Sequence, residues 1–169
     1  MDKKVARALT GRDLVQSPAS FLALGFGSGL APVAPGTAGT VPGVIICAML
    51  AVLPTAGYLA VTLLVVLAGV WICDRVSKEL GVHDHGGIVW DEIAGFLVTM
   101  IAVPIGLKTL IAGFILFRLF DIVKPWPIGW LDRKVGGGVG IMIDDVVAGL
   151  FACLVLHALV FFFPGTFVS

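Results

Sequence analysis

The chain has 169 residues, 59% hydrophobic and 13% charged, and its eleven basic and eleven acidic side chains cancel. That length suits one domain, but a mean hydropathy of +1.08 is more apolar surface than a soluble globule of this size can bury. Disorder, a coiled coil and a nucleic-acid-binding surface are excluded by the same figures.

The first 16 residues are polar and lack the apolar core of a cleavable signal peptide, so they read as a cytoplasmic tail of a single domain covering 1–169. Residues 15–34 are apolar but carry Pro18, Pro32 and many glycines, with Pro35 just beyond. Such a segment reads as interfacial or re-entrant, buried against protein. Five candidate membrane segments follow, at 41–58 (interrupted by Pro54), 59–73, 93–105, 107–120 and 146–163. Several are shorter than the roughly 20 residues that cross about 30 Å of hydrocarbon, which calls for tilt or local thinning. The fold class expected is therefore all-α: a polytopic membrane helical bundle of about five spans. Cys47, Cys73 and Cys153 all lie in apolar runs without metal-ligand spacing and read as packing residues, as does His157 in the last segment.

With the amino terminus inside, ten of the eleven lysines and arginines fall on or beside the cytoplasmic side, and Lys108 alone on the other. This follows the positive-inside rule. All eleven acids fall on the same side or at helix ends facing it. A structural anchor has no need of so much charge at one face; an active site at the membrane surface does.

One block occurs twice. Residues 87–92 and 140–145 both read G-I-x-x-D-[E/D], 53 positions apart. Each is preceded by glycines and followed by a small residue and an apolar run. A possible internal repeat would bring Asp91-Glu92 and Asp144-Asp145 to the mouths of two parallel spans, each pair at a helix start. Four acids crowded beside lipid repel one another unless a cation holds them, and hard oxygen ligands favour Mg²⁺ or Ca²⁺ over zinc.

Further groups surround these acids. Arg118, Asp121 and Lys124 are spaced three apart on one helix face, which Pro125 and Pro127 end. Such a face can clamp a phosphate and help hold a metal. The run 132–140 carries Asp132, Arg133, Lys134 and four glycines, and reads as a phosphate-cradling loop or a flexible linker. The segment 26–40, with Ser28, Thr37 and Thr40, either folds over the site or leads into the first span. His83-Asp84-His85 offers a transition-metal pair or a general acid, and the oxygen-rich setting favours the proton role.

Together these residues point to phosphate chemistry on a lipid head group. The chain lacks a Cys-x₅-Arg loop, a D-x-D-x-[TV] block, the P-S-G-H set of histidine lipid phosphatases and the aspartate motif of phosphatidyl-alcohol transferases. The blocks at 90–92 (W-D-E), 117–127 (F-R-x-x-D-x-x-K-P-W-P), 140–145 (G-I-M-I-D-D), 25–32 (G-F-G-S-G-L-x-P) and 81–86 (G-V-H-D-H-G) do resemble the phosphatidylglycerophosphatase A family, in order over residues 20–150. The resemblance implies a multi-pass, Mg²⁺-dependent phosphatase of the bacterial inner membrane. Its substrate would be phosphatidylglycerophosphate, its products phosphatidylglycerol and phosphate, and its site would face the cytoplasm. On that reading Asp91, Glu92, Asp144 and Asp145, with Asp121, hold Mg²⁺, and Arg118, Lys124 and Arg133 bind the terminal phosphate. Water attacks in line, a phospho-aspartate being the alternative, and His83 or His85 protonates the leaving glycerol oxygen. Three competing readings are a transporter or channel, a phospholipid-binding scaffold, and a phosphatase of another lipid phosphate. Charges at one surface, with none mid-span, weigh against a permeation path.

Overall fold

A computed structural model describes residues 9–82 and 84–167, and every regular element among them is helical. Two short helices, α1 (Gly11–Leu14) and α2 (Pro18–Ala23), and a 3₁₀ segment (Gly25–Leu30) precede α3 (Pro35–Leu50). Then come α4 (Thr55–Leu80), α5 (Trp90–Thr99), α6 (Leu107–Val123), α7 (Ile128–Lys134), α8 (Gly137–Phe162) and the terminal turn α9 (Pro164–Phe167).

The helix ends follow local chemistry. Pro54, which cannot continue a preceding helix, stands at the start of α4. Gly81 ends α4 in the left-handed conformation (φ 69°), and the Val82 N–H closes back on the Ser77 carbonyl. Lys124 takes the same left-handed cap on α6 (φ 44°), just before Pro125. Asp74 of α4 accepts the Gly138 N–H at 3.2 Å, so one helix satisfies an otherwise orphaned donor of another.

Two helices, α4 and α8, are long and apolar enough to cross a membrane, each with 26 residues; α3 is a shorter apolar helix of 16. Several boundaries differ from the sequence reading: α3 covers Pro35–Leu50 where 41–58 was expected, and α6 runs on to Val123. The second long helix begins at Thr55 rather than Leu59 and runs on through the charged residues to Leu80. The third expected span contains a helix of only ten residues, α5, rising about 15 Å. Turns over 100–106 follow it. Last, α8 starts at Gly137, so three glycines of the supposed loop form its first turn. Those glycines are helical because α4 lies against them: a Cβ on Gly138 would collide with the Val70 carbonyl.

The centre of the bundle is α5, with every residue but Glu92 buried, packed on α3, α4, α6 and α8. Its apolar side chains join two cores. One gathers Ile72, Val76, Ile93 and Met142 near the charged end; the other gathers Phe96, Leu97, Phe117 and Leu156 deeper down. Glycines set the spacing. A Cβ on Gly95 would stand 2.7 Å from the Asp145 carbonyl oxygen, and one on Gly149 would strike the Gly95 carbonyl. Small residues let α5 and α8 approach backbone to backbone, as packed helices in lipid require. Cys47 and Cys73 are buried as expected. His157 is exposed instead of packed, its Nδ1 lying 2.9 Å from the Cys153 carbonyl of its own helix.

Candidate active site

The doubled block does not occupy equivalent places. Asp91 and Glu92 lie in the first turn of α5, whereas Asp144 and Asp145 lie two turns inside α8, not at its start. The glycine contact between the helices nevertheless carries Asp145 to the α5 pair. One ligand oxygen from each of Asp91, Glu92 and Asp145 falls in a group whose members all lie within 4.8 Å of one another.

These acids line a cleft of about 340 Å³ at the charged end of the bundle. Asp84, Asp121, Asp132 and Asp144 line it as well, and Lys124 is the basic side chain among the lining residues. Seven carboxylates against one ammonium leave a strong negative excess, and burial raises its cost. Asp91 is 8% exposed and Asp145 3%. Asp91 Oδ1, Glu92 Oε2 and Asp144 Oδ1 are all buried without a hydrogen-bond partner among the described residues. Orphaned carboxylate oxygens in one cleft are the polar groups a cation would satisfy. An all-oxygen donor set with no thiolate fits a hard divalent ion such as Mg²⁺.

The other expected ligands are held by cations of the chain itself. Lys124 Nζ stands 2.6 Å from Asp144 Oδ2 and 2.7 Å from Asp132 Oδ1. Burial alone would lower the Lys124 ammonium, but its hydrogen bonds to Asp132 and Asp144 outweigh that and hold it above the usual lysine range. Asp121 forms an ion pair with Arg118, whose Nη1 also lies 3.9 Å from Glu92 Oε1. Arg118 therefore stands behind the cleft rather than in its lining. Arg133 is exposed on α7 and does not line it either. His85 is half-buried beside the cleft, and its Nδ1 accepts the Gly87 N–H at 3.1 Å, which puts the proton of the neutral ring on Nε2. His83 lies outside the described residues.

Three participants carry little signal in the sequence. Asp132 looks like part of a basic, glycine-rich run but anchors Lys124. Asp84, read as a spacer between histidines, lines the cleft. Gly36, in the first turn of α3, abuts the Glu92–Arg118 pair: a Cβ there would strike Glu92 Oε1 and stand 3.2 Å from Arg118 Nη2. The segment 26–40 thus reaches the site through the first turn of α3, which it enters at Pro35. Two of the hydroxyls noted in it serve the backbone, Ser28 donating to the Gly25 carbonyl and Thr40 to the Gly36 carbonyl. The P-G-T start of an apolar helix was the signal available for Gly36.

Comparison with known proteins bears on the same stretch. The family model described as Phosphatidylglycerophosphatase A matches residues 21–160. Phosphatidylglycerophosphatase A of Escherichia coli is 45% identical over 144 residues, covering 85% of this chain and 84% of that protein. The Haemophilus influenzae protein of the same name is 45% identical over 148 residues, covering 85% and 89%. A Bacteroides thetaiotaomicron protein, provisionally named a phosphatidylinositol-3-phosphatase, is 39% identical over 140 residues, covering 78% and 87%. No solved structure matches the chain.

Proposed function

The chain belongs to the phosphatidylglycerophosphatase A family, and we infer that it hydrolyses phosphatidylglycerophosphate to phosphatidylglycerol and inorganic phosphate. The observation that carries the chemistry is the cleft, where Asp91, Glu92 and Asp145 converge and buried carboxylate oxygens lack partners. A phosphate monoester is itself anionic, so a cleft this acidic takes it up only with added positive charge.

Asp91, Glu92 and Asp145 would hold Mg²⁺ there. When bound, the ion offsets their charge and polarises a phosphoryl oxygen. Asp144 stands next to this group, one oxygen fixed by Lys124 and the other bare toward the cleft. Arg118 orients Asp121 and Glu92 from behind. Lys124 is the protein's own cation for the terminal phosphate, and it reaches that phosphate by loosening its hold on Asp132 or Asp144. Water is the nucleophile in this reading, and His83 or His85 donates the proton that the departing glycerol oxygen needs. Arg133, at the surface, is left to draw in anionic lipid.

The membrane placement follows from the same geometry. Alongside α4 and α8, the shorter α3 and α6 would cross where the bilayer thins locally, and α5 with the turns over 100–105 would complete a fifth passage. Irregular backbone at that depth is tolerated when buried in protein, and Met100 and Val103 are buried. The one-sided charge distribution supports a single domain whose cleft would face the cytoplasm at the bacterial inner membrane.

The test is phosphate release from phosphatidylglycerophosphate in detergent micelles, with Mg²⁺ or with EDTA, by wild type and Asp145→Asn. Release that requires both the ion and the carboxylate is expected. Undiminished release in EDTA would remove the metal role, and no release from folded wild-type protein would remove the substrate. Phosphatidylinositol 3-phosphate as a competing substrate tests the reading suggested by the Bacteroides relative's name.

A further inference from the structure

A second concavity lies away from the cleft. Ser17, Pro18, Ala19 and Leu22 of the α2 region face Ala68, Trp71, Ile72 and Arg75 of α4 across an apolar groove of about 300 Å³. It runs on, through Ser17, Pro18 and Leu22, into a hollow of about 450 Å³ edged by Leu14, Val15 and Phe21. The groove's α4 residues fall at i, i+3, i+4 and i+7, one stripe of the helix. Gly69, Val70, Cys73 and Asp74 meet α8 instead. At 100° per residue the two sets lie on opposite sides of α4. Whatever occupies the groove is thus walled from the cleft by the helix itself.

Three features describe an occupant. The groove wall is apolar, with Trp71 60% exposed on it and Val15 76% exposed in the adjoining hollow, and the exposed Ala68 contributes only a methyl group to the lining. Its position is the boundary where α4 passes from apolar residues to Asp74, Arg75, Lys78 and Glu79, the depth at which Trp and Arg meet lipid head groups. One end carries a cation whose terminal nitrogens have no partner among the described residues: Arg75 gives Nε to Glu79, at 2.9 Å, while its guanidinium sits 5.5 Å from the Trp71 ring centroid. The terminal nitrogens of that fork match two phosphate oxygens.

We propose that this groove holds one acyl chain of a resident diacyl phospholipid, its phosphodiester on Arg75, as a site separate from the one where substrate reacts. The proposal rests on the membrane placement above but not on the identity of the substrate. A head group unlike the substrate's keeps the two sites distinguishable, so the probe is dioleoylphosphatidylethanolamine. Dioleoylglycerol, which has the chains without the phosphate, is the control. The full chain in dodecylmaltoside micelles is titrated with each lipid and read by native mass spectrometry. One phosphatidylethanolamine per protomer should be retained, and dioleoylglycerol should not. Ala68→Trp, which puts an indole in the groove, should abolish retention, and Arg75→Gln should weaken it about tenfold, as for one charge-assisted hydrogen bond. Far-UV circular dichroism checks that both variants fold, and both should keep phosphatase activity, because neither residue touches the cleft. Equal retention by wild type and both variants overturns the proposal. So does a wild-type dimer that Ala68→Trp converts to monomer, since a second copy would then be what fills the groove.

Discussion

Asp91-Glu92 and Asp144-Asp145 are nearly the same words in the sequence and do different things in the fold. The first pair sits in the first turn of a ten-residue helix buried on all sides. The second sits two turns into a 26-residue helix that continues across the bundle. Adjacent residues on a helix point about 100° apart, so each pair must divide its work. On α8 the division is visible: Asp145 turns to the α5 acids, and Asp144 turns to Lys124, which Asp132 anchors from the other side. A repeated motif therefore does not imply a repeated role. The partner that each acid meets decides it.

The sharpest way to break this comparison is to neutralise the two α8 acids separately. Asp145→Asn should lower phosphate release about 10²–10³-fold, the scale for a group that stabilises transition-state charge, and should also weaken Mn²⁺ binding followed by electron paramagnetic resonance. Asp144→Asn should lower turnover yet leave Mn²⁺ bound through Asp91, Glu92 and Asp145. Equal loss of Mn²⁺ in both variants would mean that all four acids share one ion. Next in size is Lys124→Met, which leaves Asp132 and Asp144 facing each other without their cation. Combined with Asp144→Asn it should be less than additive, with a coupling of about 1–2 kcal/mol in thermal unfolding, since both changes remove one ion pair.

A backbone test comes after these. Gly95→Ala pushes a methyl group against the Asp145 carbonyl and the Phe117 ring, and should destabilise by about 1–3 kcal/mol through overpacking, seen as a lower melting temperature. Activity measured well below that temperature should fall too, because the same displacement moves Asp145 from Asp91 and Glu92. Smallest of all, Arg133→Ala should change kcat/KM by about twofold or less at physiological salt, as for an exposed charge screened by solvent. A large loss there would bring α7 into the site.

Much of this was legible from residues alone. Composition and hydropathy pointed to helices in an apolar solvent, and the described residues are all-helical with two helices long and apolar enough to cross a membrane. The acid pairs pointed to a carboxylate cluster, and Asp91, Glu92 and Asp145 do converge. Pro125 marked the end of α6, because backbone restriction acts within a few residues. What stayed hidden depended on neighbours distant in sequence. The glycines at 137–140 read as a loop by propensity but are helical, because α4 needs a residue without a Cβ at Gly138. The apolar run at 93–105 reads as a short span but not as a ten-residue helix that begins at Trp90 and ends at Thr99. Nor could hydropathy distinguish Asp144 from Asp145, or show that Arg118 stands behind the acids and Lys124 among them. Sequence by itself determined an apolar, helical chain and the oxygen chemistry of its donors, which are properties of side chains counted and placed along a helix. Tertiary structure decided which carboxylates share a centre and which are already paired, because electrostatic partnership depends on distances of a few ångströms that only the packing of α5 against α8 sets.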